Sequence, residues 1–202
     1  MESLEIRIKE NSAEIDGYVN AVGRESRVLR DREGKYFTET IQPGAFARAL
    51  MRGKRQMLLN HEETRVLGNE GENLELKEDA VGLYARAEVT DEEAVDKARK
   101  GELRGWSFGF KPLRQRFEDN GGIQHRIVED MELYEVSIID KRKMPAYAAT
   151  SVFTRDASDE SPEIEYRTME LQEVDVSETE QRTEQPIDYS YYEKAIESLK
   201  AE

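Results

Sequence analysis

The chain has 202 residues, enough for one domain with a substantial core, and 44 Asp and Glu against 30 Lys and Arg leave a net charge of −14. Without a single cysteine, disulfides, a thiol nucleophile and thiolate metal sites are excluded. The acidic balance disfavours nonspecific nucleic-acid binding, and no apolar run approaches membrane-spanning length.

The first segment, MESLEIRIKE, lacks the apolar core of a signal peptide, and a cytosolic setting is expected. Leu4, Ile6 and Ile8, then Ile15, Tyr18-Val19 and Ala21-Val22, alternate as strands on either side of a polar turn at Glu10-Asn11-Ser12. Lys35–Ile41 reads as extended, and residues 43–50 (PGAFARAL) as a short helix with Pro43 near its first turn. A short apolar run, QMLLN, ends at His61, and the strands NLELK and VGLYARAEV follow. Thr90-Asp91-Glu92-Glu93 starts a capped helix that carries Lys97, Arg99 and Lys100 in its last turn and Gly101 just past it. Extended runs over Arg104–Phe117, Ile123–Val128 and Met131–Ile139 complete the pattern, with a DNGG turn after the first.

About seven strands and two short helices without regular alternation predict a mainly β, α+β domain over residues 1–150. Its expected form is a closed or nearly closed antiparallel barrel. From Ser151 onward 15 acidic residues face 5 basic ones, so 151–202 is expected to be a flexible acidic tail. Within it 154–185 reads as linker or disorder, EYRTMELQEV could form a short helix, and 187–200 has the spacing of a terminal helix.

Three residues stand out chemically. In GELRGWSFGF, strand alternation puts Trp106, Phe108 and Phe110 on one face and Gly105, Ser107 and Gly109 on the other. The aromatic row suits a core, and the cleared face suits a hydroxyl approached by a substrate backbone. A small residue packed under a neighbouring element explains the same stretch. Serine as a nucleophile needs a base. His61 ends a buried run at a turn, whereas His125 follows a turn and reads as a solvated strand histidine. Glu135 sits in MELYEVSII with apolar neighbours on both faces, which requires a partner: an imidazole, or one of the many arginines. Two histidines 64 residues apart have no metal-ligand spacing, and there is no Gly-rich phosphate loop, so neither metal nor cofactor is expected.

In order, YFTETIQPGAFARAL, LLNHEETRVLGN, LELKEDAVGLYARAEV, GELRGWSFGF and LYEVSIIDKRKMPAYAAT resemble blocks of the tailed-phage prohead (capsid maturation) protease family. These serine peptidases are related in fold to the herpesvirus assemblins. The resemblance spans roughly residues 14–150. It implies Ser107 as nucleophile, His61 as general base and Glu135 as third member, where assemblins use a second histidine. It also offers Lys141, Arg142 and Lys143 near the oxyanion site. The implied substrates are scaffold protein or the scaffolding segment of the major capsid protein. The implied setting is an immature procapsid in the host bacterial cytoplasm, with self-processing and self-association as further expectations and no nucleic acid or membrane as partner. A non-catalytic capsid-assembly or scaffolding module on the same barrel is the alternative.

Overall fold

The computed structural model describes residues 4–31, 33–120, 122–141, 164–168 and 174–178. The described strands are β1 (Leu4–Ile8), β2 (Ala13–Ala21), β3 (Leu29–Arg30), β4 (Tyr36–Ile41), β5 (Gln56–Leu59), β6 (Glu62–Asn69), β7 (Leu74–Glu78), β8 (Gly82–Val89), β9 (Leu103–Asn120), β10 (Ile123–Asp140), β11 (Glu165–Thr168) and β12 (Val174–Glu178). The helices are α1 (Ala45–Leu50) and α2 (Glu92–Arg99). None of the described helices is long and apolar enough to cross a membrane.

The strands form two sheets. One runs β12-β1-β2-β8-β7; the other runs β11-β9-β10-β4-β3, with β5 on β10 and β6 on β5. The mainly β expectation holds, but neither sheet closes on itself, so the strand order does not give the expected barrel. Nor is the pairing wholly antiparallel: β4 and β5 both run parallel to β10, along successive lengths of the same strand, and β12 runs parallel to β1. Short strands joined by α1 achieve this because β10, at 18 residues, is long enough to take both.

Alternation assembles the core as expected. Trp106, Phe108 and Phe110 are fully buried together with Val136, Ile138, Ile6, Ile15 and Leu83 in one hydrophobic cluster. Phe46 of α1 meets Phe108 edge-on, with ring centroids 5.3 Å apart. Each buried phenylalanine contributes about 1.5–3 kcal/mol, so this row fixes the position of β9. The two helices are capped differently. Asp91 accepts from the Ala94 N–H at 2.9 Å, as its sequence position foretells. At α1 the Glu78 carboxylate, from distant β7, accepts from Gly44 N at 2.5 Å and Ala47 N at 2.6 Å, and Pro43 lies before the helix.

Two expectations about the tail change. Part of the segment read as linker or disorder, with EYRTMELQEV as a possible helix, is instead the two strands β11 and β12. Tyr166 and Thr168 alternate with Glu165 and Arg167, and a period of two serves a sheet edge better than an isolated short helix. The terminal helix expected at 187–200 lies outside the described residues.

Candidate active site

His61 owes its position to a two-residue hairpin. Leu59 of β5 pairs with Glu62 of β6, leaving Asn60 and His61 as the whole loop. Both have positive φ, 57° and 62°, the pattern of a type I′ turn. Asn tolerates this conformation; for His it carries a local cost that its surroundings must offset. Three hydrogen bonds pin the loop to β10: Asn60 N to the Ile138 carbonyl (2.9 Å), Asp140 N to Asn60 Oδ1 (2.9 Å), and His61 N to Ser137 Oγ (3.2 Å).

Thus held, His61 places Nδ1 2.8 Å from Glu135 Oε1. An ionised carboxylate only accepts, so Nδ1 carries the hydrogen, and in the neutral ring the lone pair is then on Nε2. The second carboxylate oxygen of Glu135 accepts from the Ser137 hydroxyl in a short hydrogen bond. Among the described residues Glu135 is therefore paired with an imidazole, not an arginine. Its apolar neighbours also differ from strict alternation. The register shifts between Leu133 and Glu135, so Leu133 pairs with Phe110 and Glu135 with Gly109. This bulge sends Leu133 and Met131 into the core, so that Glu135 shares its face with Ser137, Ser107 and Gly109, and with Ile139 further along.

Gly109 is essential to that face. A Cβ there would stand 2.7 Å from Glu135 Oε1 and 2.9 Å from Tyr166 Cε1. Ser107 lies directly across the ladder from Ser137, fully buried. Its hydroxyl does not bond His61: it donates to the Arg167 carbonyl at 2.8 Å and accepts from Thr168 Oγ1 at 3.1 Å. Both partners belong to β11, which pairs antiparallel with β9 from Phe110 to Ser107. Tyr166 of the same strand lies against the His61 ring, centroids 4.3 Å apart.

Of the three singled-out residues, His61 in the β5–β6 loop and Glu135 on β10 are joined by a hydrogen bond, and Ser107 on β9 lies across the ladder from Ser137, two residues along from Glu135, without a bond to either. Ser137, Tyr166 and Thr168 also belong to the site. Ser137 was open to detection, because it sits two residues from Glu135 on one strand. Nothing in the local pattern of Tyr166 or Thr168 signals their return to β9. His125 is a correction: it is buried, not solvated, with Nδ1 2.8 Å from Thr38 Oγ1 and 3.2 Å from Glu25 Oε1. The parallel pairing of β4 with β10 covers it. Of the basic trio, Lys141 engages Glu102 at 2.6 Å, while Arg142 and Lys143 lie outside the described residues.

Beneath β11 is a buried ionic cluster. Arg167 reaches Glu39 with Nε at 2.8 Å and Nη2 at 2.9 Å, and Glu165 with Nη2 at 2.7 Å. Arg126 also grips Glu165, at 2.6 and 2.9 Å, and lies 3.0 Å from Glu39. Burial opposes both charges of β11, but pairing prevails. Arg167 is held above the ordinary guanidinium range by Glu39 and Glu165, and Glu165 below the ordinary carboxylate range by Arg126 and Arg167.

Neither the curated proteins nor the solved structures searched give a match to this chain. A family model does: that of the caudovirus prohead serine protease matches residues 2–164, the whole of both sheets except β11 and β12. With a match over that span, the chain belongs to the caudovirus prohead serine protease family, hydrolases of capsid maturation in tailed bacteriophages.

Proposed function

We propose that the chain is a serine endopeptidase working through Ser107, His61 and Glu135, and that it cleaves scaffold protein or the scaffolding segment of the major capsid protein inside the immature procapsid. The observation that carries this reading is the 2.8 Å bond from His61 Nδ1 to Glu135 on the sheet face that bears Ser107. It leaves the Nε2 lone pair as a base. His61 takes the Ser107 proton as Oγ attacks the substrate carbonyl carbon, and Glu135 supports the imidazolium. The proton then passes to the leaving amine as the C–N bond breaks. Water, activated by the same imidazole, hydrolyses the acyl-enzyme and restores the serine. Backbone N–H groups supply the oxyanion site.

A fluorophosphonate probe tests the assignment: it is expected to label Ser107, located by peptide mapping, and labelling is expected to vanish in His61→Ala. A chain that stays unlabelled while folded favours the second reading, a non-catalytic assembly module. The specific observation behind that reading is that the Ser107 hydroxyl is engaged by β11 and not by His61.

Gly109→Ala offers a geometric test away from the three residues. The added methyl displaces the Glu135 carboxylate or Tyr166, and misplacing a catalytic group by about 1 Å costs on the order of 100-fold. A kcat lowered by roughly that factor in a folded variant is expected; an unchanged kcat would separate Glu135 from the chemistry.

A further inference from the structure

The strand over Ser107 has the marks of a ligand. It is four residues long, lies on the edge of β9, and contributes a backbone carbonyl to the nucleophile candidate. Its arginine enters a prepared pocket: the Glu39 carboxylate meets the guanidinium bidentately, and the Phe110 ring lies under it at 5.2 Å. Glu39 and Arg126 are themselves buried and paired across β4 and β10, so without β11 the pocket holds one negative and one positive charge. β11 adds one of each, Glu165 and Arg167, and every new charge finds its opposite. A strand bearing Arg alone, or Glu alone, would leave a buried charge uncompensated.

We propose that the groove beside β9 is the substrate channel and that residues 164–168 occupy it in cis. Its pocket of Glu39, Arg126 and Phe110 selects an extended peptide of the pattern Glu-X-Arg, whose Arg supplies the scissile carbonyl. The proposal rests on Ser107 being the nucleophile. In a substrate so bound, Ser107 Oγ attacks the Arg carbonyl carbon and the bond to the following nitrogen breaks. That nitrogen takes the serine proton by way of His61, and water releases the new carboxyl end. In the chain's own strand the Ser107 proton is committed to the Arg167 carbonyl oxygen, not to the imidazole. The segment therefore occupies its own enzyme's cleft as a competing substrate, keeping other peptides out until it is cut or displaced.

The test uses the full chain, unaltered and as Arg167→Ala, with the peptide PEIEYRTMEL and forms replacing its Arg or its first-strand Glu by Ala. Mass spectrometry is expected to find cleavage after Arg. The Arg-to-Ala peptide should lose on the order of 100-fold in kcat/KM and the Glu-to-Ala peptide about tenfold. In the chain, Arg167→Ala is expected to speed fluorophosphonate labelling of Ser107 about tenfold or more by releasing the strand. Cleavage indifferent to the Arg, cleavage elsewhere, or no cleavage by chains whose Ser107 labels overturns the inference and leaves the hydrolase assignment standing. No labelling in either chain overturns the nucleophile assignment itself, and this inference with it.

Discussion

Ser107→Ala is expected to abolish proteolysis, lowering kcat by on the order of 10^4-fold or more, while leaving the fold in place. The two halves of this expectation have separate causes. The hydroxyl across the ladder, Ser137, does not replace the nucleophile, because it is committed to Glu135 and to the His61 backbone. Stability is spared because the hydroxyl bonds only β11, and one such hydrogen bond is worth about 0.5–1.5 kcal/mol. Trp106 and Phe108 on either side hold the strand in the core whatever occupies position 107. Digestion of a capsid or scaffold precursor, read beside a thermal melt, checks both halves. Cleavage at the wild-type rate would remove Ser107 from the mechanism.

Glu135→Gln is expected to be nearly as severe, with kcat falling on the order of 10^4-fold. The carboxylate accepts from two donors, His61 Nδ1–H and the Ser137 hydroxyl. A glutamine has one accepting oxygen and one NH2 group, so it satisfies only one of them. If the NH2 faces the ring, His61 must shift its hydrogen to Nε2 and can no longer take a proton from serine. If it faces Ser137, the short bond there is lost and no anion remains to support the imidazolium. Size is conserved, so the variant should fold, and the loss should appear in kcat more than in KM. A kcat within tenfold of the unaltered chain would reduce Glu135 to a structural partner of His61.

The site was legible in the sequence where it depends on alternation. Ser107 facing away from Trp106 and Phe108 follows from a period of two, and the need of Glu135 for a partner follows from the cost of a buried charge. What alternation misses is any irregularity in it. The bulge before Glu135 changes which residues share its face, and no residue there signals it. The hairpin at Asn60-His61 lacks the usual glycine, so its tightness was hidden, although the strand-to-turn position of His61 was plain. Sheet closure depends on long-range pairing. The parallel addition of β4 and β5 to β10 comes from the length of β10, not from the short strands themselves. The acidic composition of the tail hid the four residues of β11, because charges that compensate each other in a buried cluster look like solvated ones in a list.

β11 also has a bearing on solubility. Residues 107–110 of β9 pair with β10 on one side and with β11 on the other. With β11 withdrawn, this stretch becomes an open edge whose N–H and C=O groups can template another chain, and it is among the most apolar in the molecule. A copy of the chain in that state would be prone to pair with another through the exposed edge. In the structure that edge is covered by a four-residue strand of the same chain, held by paired charges.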